Sequence, residues 1–233
     1  MSVKAYRLLK KVEVIVGYNT YINLIEDLIE EDTSVYSSGM KQEVERGEKA
    51  ISLAQKGKKT AIISSGDPGV YGMAGLIMEL IHQKKLELDI EVIPGITAAN
   101  AAAAGLGAPL MHDYAVISLS DLLTPWSVIK KRLKNAARGD FIIVLYNPKS
   151  KKRTEPIQEA QNIFLNFRDP DTPVGIVRKA RRGQEEIIFT SLKNMLDNTI
   201  DMLTTVIIGN KNTYISEPSE KNKMMITPRG YEL

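Results

Sequence analysis

Apolar positions along this chain follow two periods. VEVIVGY (12–18) is a run of β-branched residues closed by glycine and predicts a buried strand. TYINLIEDLIE (20–30) sets Tyr21, Leu24, Ile25 and Leu28 at helical spacing. A short strand is expected at 35–37, an amphipathic helix at 41–56 ending at Gly57, and a strand at 59–68 that runs into a turn. A helix over 70–83 carries Met73, Leu76, Ile77 and Leu80 on one face; a strand at 89–95 and an alanine-packed helix at 96–107 follow. This βαβ series implies a parallel sheet with right-handed crossovers. Beyond it come a strand at 115–121, a helix at 125–137, a strand at 141–148 and a helix at 156–167. Strands at 173–179, 185–191, 204–210, 213–216 and 224–228 then succeed one another without helices, which suggests antiparallel pairing. The expectation is an α/β protein of two lobes, 1–112 with a mainly parallel sheet and 113–233 with a mixed one, hinged near 111–116.

Composition narrows the chemistry. With 43% hydrophobic and 25% charged residues the chain is an ordinary globular sequence, long enough for a substantial core. It has no cysteine, so disulfides, thiolate metal sites, iron–sulfur clusters and cysteine nucleophiles are excluded. Its apolar runs are too short for a membrane span, and no signal peptide is legible, so the expected setting is cytoplasmic. A net charge of +3 gives no support to a nucleic-acid partner.

Three expected strand ends run into turn-forming sequence: SSGDPGVYG (64–72), PGITAANA (94–101) and LYNPKSKKR (145–153). In α/β sheets ligands bind outside the carboxyl ends of strands, so three such loops point to a ligand cleft. In the first loop the glycines allow backbone to approach a ligand; Asp67 equally suits a plain capped turn. In the second, Thr97 suits an N-cap, and the alanines allow close packing with or without a ligand. Neither loop is a dinucleotide fingerprint or a P-loop.

Two basic clusters follow expected strands: Lys149, Lys151, Lys152 and Arg153, then Arg178, Lys179, Arg181 and Arg182. They suit carboxylate or phosphate contacts, or a solvated surface. His82 and His112 stand alone, without metal-ligand spacing. No nucleophile signature is present, which favours direct transfer between bound substrates over covalent catalysis.

The GDP loop followed by V-Y-G, the P-G-I-T-A-A helix start and the two-lobed layout together resemble the tetrapyrrole methylase superfamily. GYNTYINLI, SSGMKQEVERGEKA, SSGDPGVYGMAGL, VIPGITAANAAAA, GAPLMHDYAVISLSDLLTPW, LYNPKSKKR, PVGIVRKA and DMLTTVIIGN extend the resemblance from about residue 3 to Tyr231. They are similar to its branch of precorrin-3B C17-methyltransferases. One departure is visible. Members of the superfamily usually open with a strand ending in a G-x-G-P-G-D-type loop, whereas this sequence opens on MSVKAYRLLKK, which resembles the helix after that loop.

The resemblance implies S-adenosylmethionine bound in a cleft between the lobes, contacted by Gly66, Asp67, Val70, Thr97, Ala98, Leu145, Tyr146, Ala180 and Thr205. It implies a tetrapyrrole substrate, precorrin-3B or cobalt-factor III, methylated at C17 with ring contraction in cobalamin biosynthesis. Lys149, Lys152, Arg153 and Arg178 are then the candidate partners of its carboxylates, and Asp67 and Asp121 the candidate proton acceptors. Asp121 equally suits a cap on the helix near Pro125. No metal site, nucleic acid or membrane is expected, and a homodimer is expected by resemblance. The alternatives are a methylase acting on another ring carbon or on ribosomal RNA, and a non-catalytic binding protein that lacks the first strand.

Overall fold

A computed structural model describes residues 1–217, 219 and 222–232. The chain divides into two compact units, Met1–Thr97 and Ala98–Leu233.

The first unit holds α1 (Val3–Leu9), β1 (Val14–Tyr18), α2 (Asn19–Asn23), β2 (Ser34–Ser38), α3 (Glu43–Gln55), β3 (Thr60–Ile62) and α4 (Ala74–Lys84). Its sheet is parallel in the order β2-β1-β3, with Val14 opposite both Ser34 and Thr60. Because side chains alternate along a strand, β1 feeds two cores. Ile15 packs with Leu9 and Ile22, while Val14 and Val16 pack with Ala50.

Two expected elements differ here. The helix expected over 20–30 is the single turn of α2 followed by a 3-10 turn at Glu26–Leu28. No side chain caps α2, and Leu24 is half exposed, so neither end nor face holds a longer helix together. The strand expected at 89–95 is not formed. A strand exists only as a hydrogen-bonded pair, and among the described residues β3 pairs with β1 alone. Ile90 and Val92 stay exposed.

The second unit holds α5 (Ala98–Leu106), β4 (Gly107–Ala108), β5 (Tyr114–Ser118), α6 (Trp126–Arg138), β6 (Ile142–Tyr146), α7 (Glu155–Leu165), β7 (Pro173–Arg178), β8 (Glu186–Ser191), β9 (Thr204–Ile208), β10 (Tyr214–Ser216) and β11 (Met224–Ile226). Five strands lie in the order β5-β6-β9-β7-β8. β5 and β6 run parallel, and β9, β7 and β8 pair antiparallel, as the helix-free stretch of sequence implied. A small sheet joins β10, β11 and β4.

Both faces of the large sheet are covered. Ile143, Leu145, Val206 and Ile208 pack against Ile129 and Leu133 of α6 and Ile157 and Phe164 of α7. Ile142, Val144, Val177 and Ile207 pack against Ala99, Ala102 and Leu106 of α5. Gly175 makes that second contact possible: a Cβ there would stand 2.3 Å from Leu106 Cδ1. Since α5 lies on β7 and β9, it groups with the second unit, whereas the boundary read at 112 assigns it to the first.

Among the described residues, no helix is long and apolar enough to cross a membrane.

Candidate functional site

In the first unit the chain leaves β3 through Ser64 into GDPGVYG. Gly66 and Tyr71 take left-handed backbone, φ 79° and 55°. That is why α4 starts at Ala74 rather than at 70: Tyr71 breaks the helical run, and Pro68 O accepts the Ala74 N–H at 3.0 Å. Ser64 Oγ accepts the Met73 N–H at 3.0 Å, closing the loop at its base.

Asp67 joins this loop to PGIT. Its Oδ1 accepts the Gly69 N–H and its Oδ2 the Gly95 N–H, each at 2.8 Å. The Gly95 amide, then that of Gly69, holds the carboxyl below its ordinary range. The group is therefore an ionised latch and a weak proton acceptor. The loops approach so closely that a Cβ on Gly95 would stand 2.0 Å from Gly66 O, so glycine is required there. Gly66, Asp67 and Val70 thus sit in one latched turn, and Thr97 lies two residues beyond its second anchor. Gly66 and Val70 are exposed and free to meet a ligand.

In the second unit, Tyr146 ends β6 and its hydroxyl accepts the Ala99 N–H at 2.7 Å, tying the LYNP strand end to the first turn of α5. That turn begins at Ala98, beside Thr97 in the sequence. Tyr146 and Ala180 pack on the α5 side of the sheet. Thr205, alternate to Ile207 on β9, faces the same side. Leu145 does not: its side chain is buried on the α6–α7 side, so only its backbone is available to a ligand. After Tyr146 the chain turns through Asn147 at φ 50°, whose side-chain amide donates to Ser118 Oγ at 2.9 Å.

The candidate cations separate into two groups. Arg153 stands 3.5 Å from Asp121 and donates to Asn147 O at 2.9 Å. Arg178 bridges Asp201 at 2.7 Å and Glu186 at 2.8 Å. Both are occupied by the protein itself. Lys152 is exposed, and Lys149 borders a small pocket with Thr154, Gln158 and Asn198. Asp121 is not a helix cap: the position before α6 is Pro125, and no side chain caps that end. Among the described residues, no three His, Cys, Asp or Glu side chains gather as metal ligands.

Sequence reasoning missed Ser64, Ser118 and Asn147 as builders of these loops. The N-P after a strand was the one available signal, since asparagine tolerates left-handed backbone.

A family model described as Tetrapyrrole (Corrin/Porphyrin) Methylases matches residues 1–196. The chain belongs to the tetrapyrrole methylases. It is 48% identical, over 98% of its own length, to the cobalt-factor III methyltransferase of Priestia megaterium, of which it spans 42%. It is 47% identical to the probable cobalt-factor III C(17)-methyltransferase of Salmonella typhimurium, covering 100% of this chain and 94% of that one. The crystal structure of the methyltransferase CobJ superposes with a TM-score of 0.89 at 33% identity, covering 98% of this chain and 93% of that one. The two-lobed α/β tetrapyrrole methylase fold, with a parallel first sheet and a mixed second one, is thereby shown.

The latched loops suit S-adenosylmethionine on their own chemistry. Gly66 and Gly69 are exposed, and glycine backbone of this kind can approach a ligand closely and offer amide and carbonyl groups that fix adenine and ribose.

Proposed function

We propose that this chain is an S-adenosylmethionine-dependent methyltransferase that methylates C17 of cobalt-factor III, or of precorrin-3B, with ring contraction in cobalamin biosynthesis. The observation that carries this reading is 47% identity to the Salmonella typhimurium relative over the full chain and 94% of that relative. The names of the two curated relatives favour the cobalt-containing substrate.

S-adenosylmethionine, when bound, would supply an electrophilic methyl group carried on a positively charged sulfur. The chain's own task is alignment and exclusion of water. In this reading Gly66, Asp67, Val70, Thr97, Ala98, Tyr146, Ala180, Thr205 and the Leu145 backbone are the cofactor's contacts. Asp67 contributes through the loops it latches, because its two oxygens already accept backbone amides. Lys149 and Lys152 meet substrate carboxylates. Arg153 and Arg178 hold the surrounding chain, at Asn147 and Asp201. We further propose that the protein acts in the cytoplasm as a homodimer, on the resemblance alone.

Titration calorimetry with S-adenosylmethionine tests the cofactor, and mass spectrometry of the tetrapyrrole after incubation tests the reaction. Micromolar binding and a gain of one methyl group on cobalt-factor III are expected. Methylation of precorrin-3B alone reassigns the substrate; no binding of S-adenosylmethionine overturns the reading.

A further inference from the structure

Arg46 is a buried cation of the first unit, 5% exposed, with no carboxylate partner among the described residues. It projects from α3. Its Nε donates to Ser38 Oγ at 2.9 Å and its Nη2 to Gly39 O at 2.8 Å. Its Nη1 reaches Met73 Sδ at 3.8 Å, and the guanidinium lies 5.8 Å from the centre of the Tyr18 ring. Tyr18 ends β1, Ser38 ends β2, and Met73 closes the loop that follows β3. One guanidinium therefore meets residues at the ends of β1 and β2 and at the far end of the loop that follows β3. Ligands of open α/β sheets bind outside the carboxyl ends of strands.

The turn after β2 is fixed from its other side as well. The Gly39 N–H donates to Gln42 Oε1 at 2.7 Å, and Gln42 Nε2 donates to Glu45 at 3.0 Å. With both backbone groups of Gly39 bonded and Lys41 in left-handed backbone at φ 66°, the turn has one shape. It presents Met40, 65% exposed, and the loop after β3 presents Tyr71, 62% exposed. A buried charge is a costly way to fill space, and an apolar side chain of similar volume would pack at least as stably. What the guanidinium adds is a planar fork that reaches several segments in fixed directions.

We propose that Arg46 is a positioning residue for substrate binding. It sets the three carboxyl-end loops of the first unit in one arrangement and so holds Met40 and Tyr71 as apolar supports for a flat, polycarboxylate macrocycle. This rests on the methyltransferase reading above. It assigns the supporting role to a residue two removes from the ligand.

The test compares steady-state kinetics of the parent protein, Arg46→Lys, and the double variant Ser38→Ala/Gln42→Ala. The double variant frees the turn while leaving the guanidinium in place. Calorimetric S-adenosylmethionine affinity and thermal melts are measured alongside. Lysine keeps the charge but loses the fork, so KM for the tetrapyrrole should rise at least tenfold, with kcat within threefold of the parent and any loss of cofactor affinity smaller than the rise in KM. The double variant should raise KM in the same direction. If Arg46→Lys does not fold, the double variant alone decides. KM within twofold of the parent in every folded variant, with only the melts lowered, would make Arg46 a purely structural residue and overturn the proposal. A parent that neither binds the cofactor nor methylates would instead overturn the functional reading on which it rests.

Discussion

The Asp67 carboxylate accepts the Gly95 N–H across 28 residues of chain, and its other oxygen accepts the Gly69 N–H. Replacing it by asparagine leaves one acceptor and turns an N–H donor toward a backbone N–H. Asp67→Asn should therefore weaken S-adenosylmethionine binding at least tenfold by calorimetry. The latch also has a pH signature. A carboxyl whose folded pKa is depressed contributes stability that is complete above its unfolded value, about 3.9, and lost as pH falls through the folded one. Acid melts of the parent should show a loss of stability below about pH 4 that is shallower in Asp67→Asn. Identical acid limbs would remove Asp67 from the account.

Gly95 and Gly75 make a matched pair. An added Cβ at Gly95 would collide with the Gly66 carbonyl, whereas at Gly75, in the first turn of α4, it would meet nothing within 4 Å. Gly95→Ala should lower the melting temperature and abolish cofactor binding. Gly75→Ala should stabilise by about 0.5–1 kcal/mol, from helix propensity. Far-ultraviolet circular dichroism is the probe to use, because the single tryptophan, Trp126, belongs to the second unit.

Tyr146→Phe removes the acceptor of the Ala99 amide, which lies on a buried residue. The unmet donor should cost about 1–2 kcal/mol in urea melts. If the LYNP strand end also holds the cofactor, S-adenosylmethionine affinity should fall about tenfold, since 1.4 kcal/mol is one decade. Unchanged affinity with lowered stability would confine Tyr146 to the fold.

The cations divide by what they already hold. Lys149→Gln and Lys152→Gln should raise KM for the tetrapyrrole severalfold and leave the melt unchanged. Arg178→Gln should do the reverse: it frees Asp201, whose carboxyl burial pushes up and the Arg178 hydrogen bond, with the Leu203 amide, pulls down further. A large KM effect from Arg178 with an unchanged melt would contradict this division.

The sequence makes legible what depends on local pattern. The β-branched runs at β1, β6 and β9 and the basic amphipathic face of α6 fold where periodicity places them. The three loops form as turns because glycine, proline and asparagine admit their backbone. What depends on a distant partner is not legible. The 89–95 run has the composition of a strand, but composition cannot provide the neighbour it would pair with. Arg153 and Arg178 read as free cations until Asn147, Asp121, Asp201 and Glu186 are brought beside them. Arg46 was hidden for the same reason: in EVERGEKA it looks like one more solvated charge on a helix.

The one-sided pairing of β3 has a bearing on handling. Among the described residues its second row of backbone amides and carbonyls faces no strand, and Ile90 and Val92, further along the same unit, lie exposed. Such an edge is a template for sticking to other chains. Storage at high concentration or mild heating should produce β-rich aggregates that begin here. A lysine at Ile90 or Val92 would act as a gatekeeper against them, at a position remote in sequence from every loop assigned to the cofactor except PGIT.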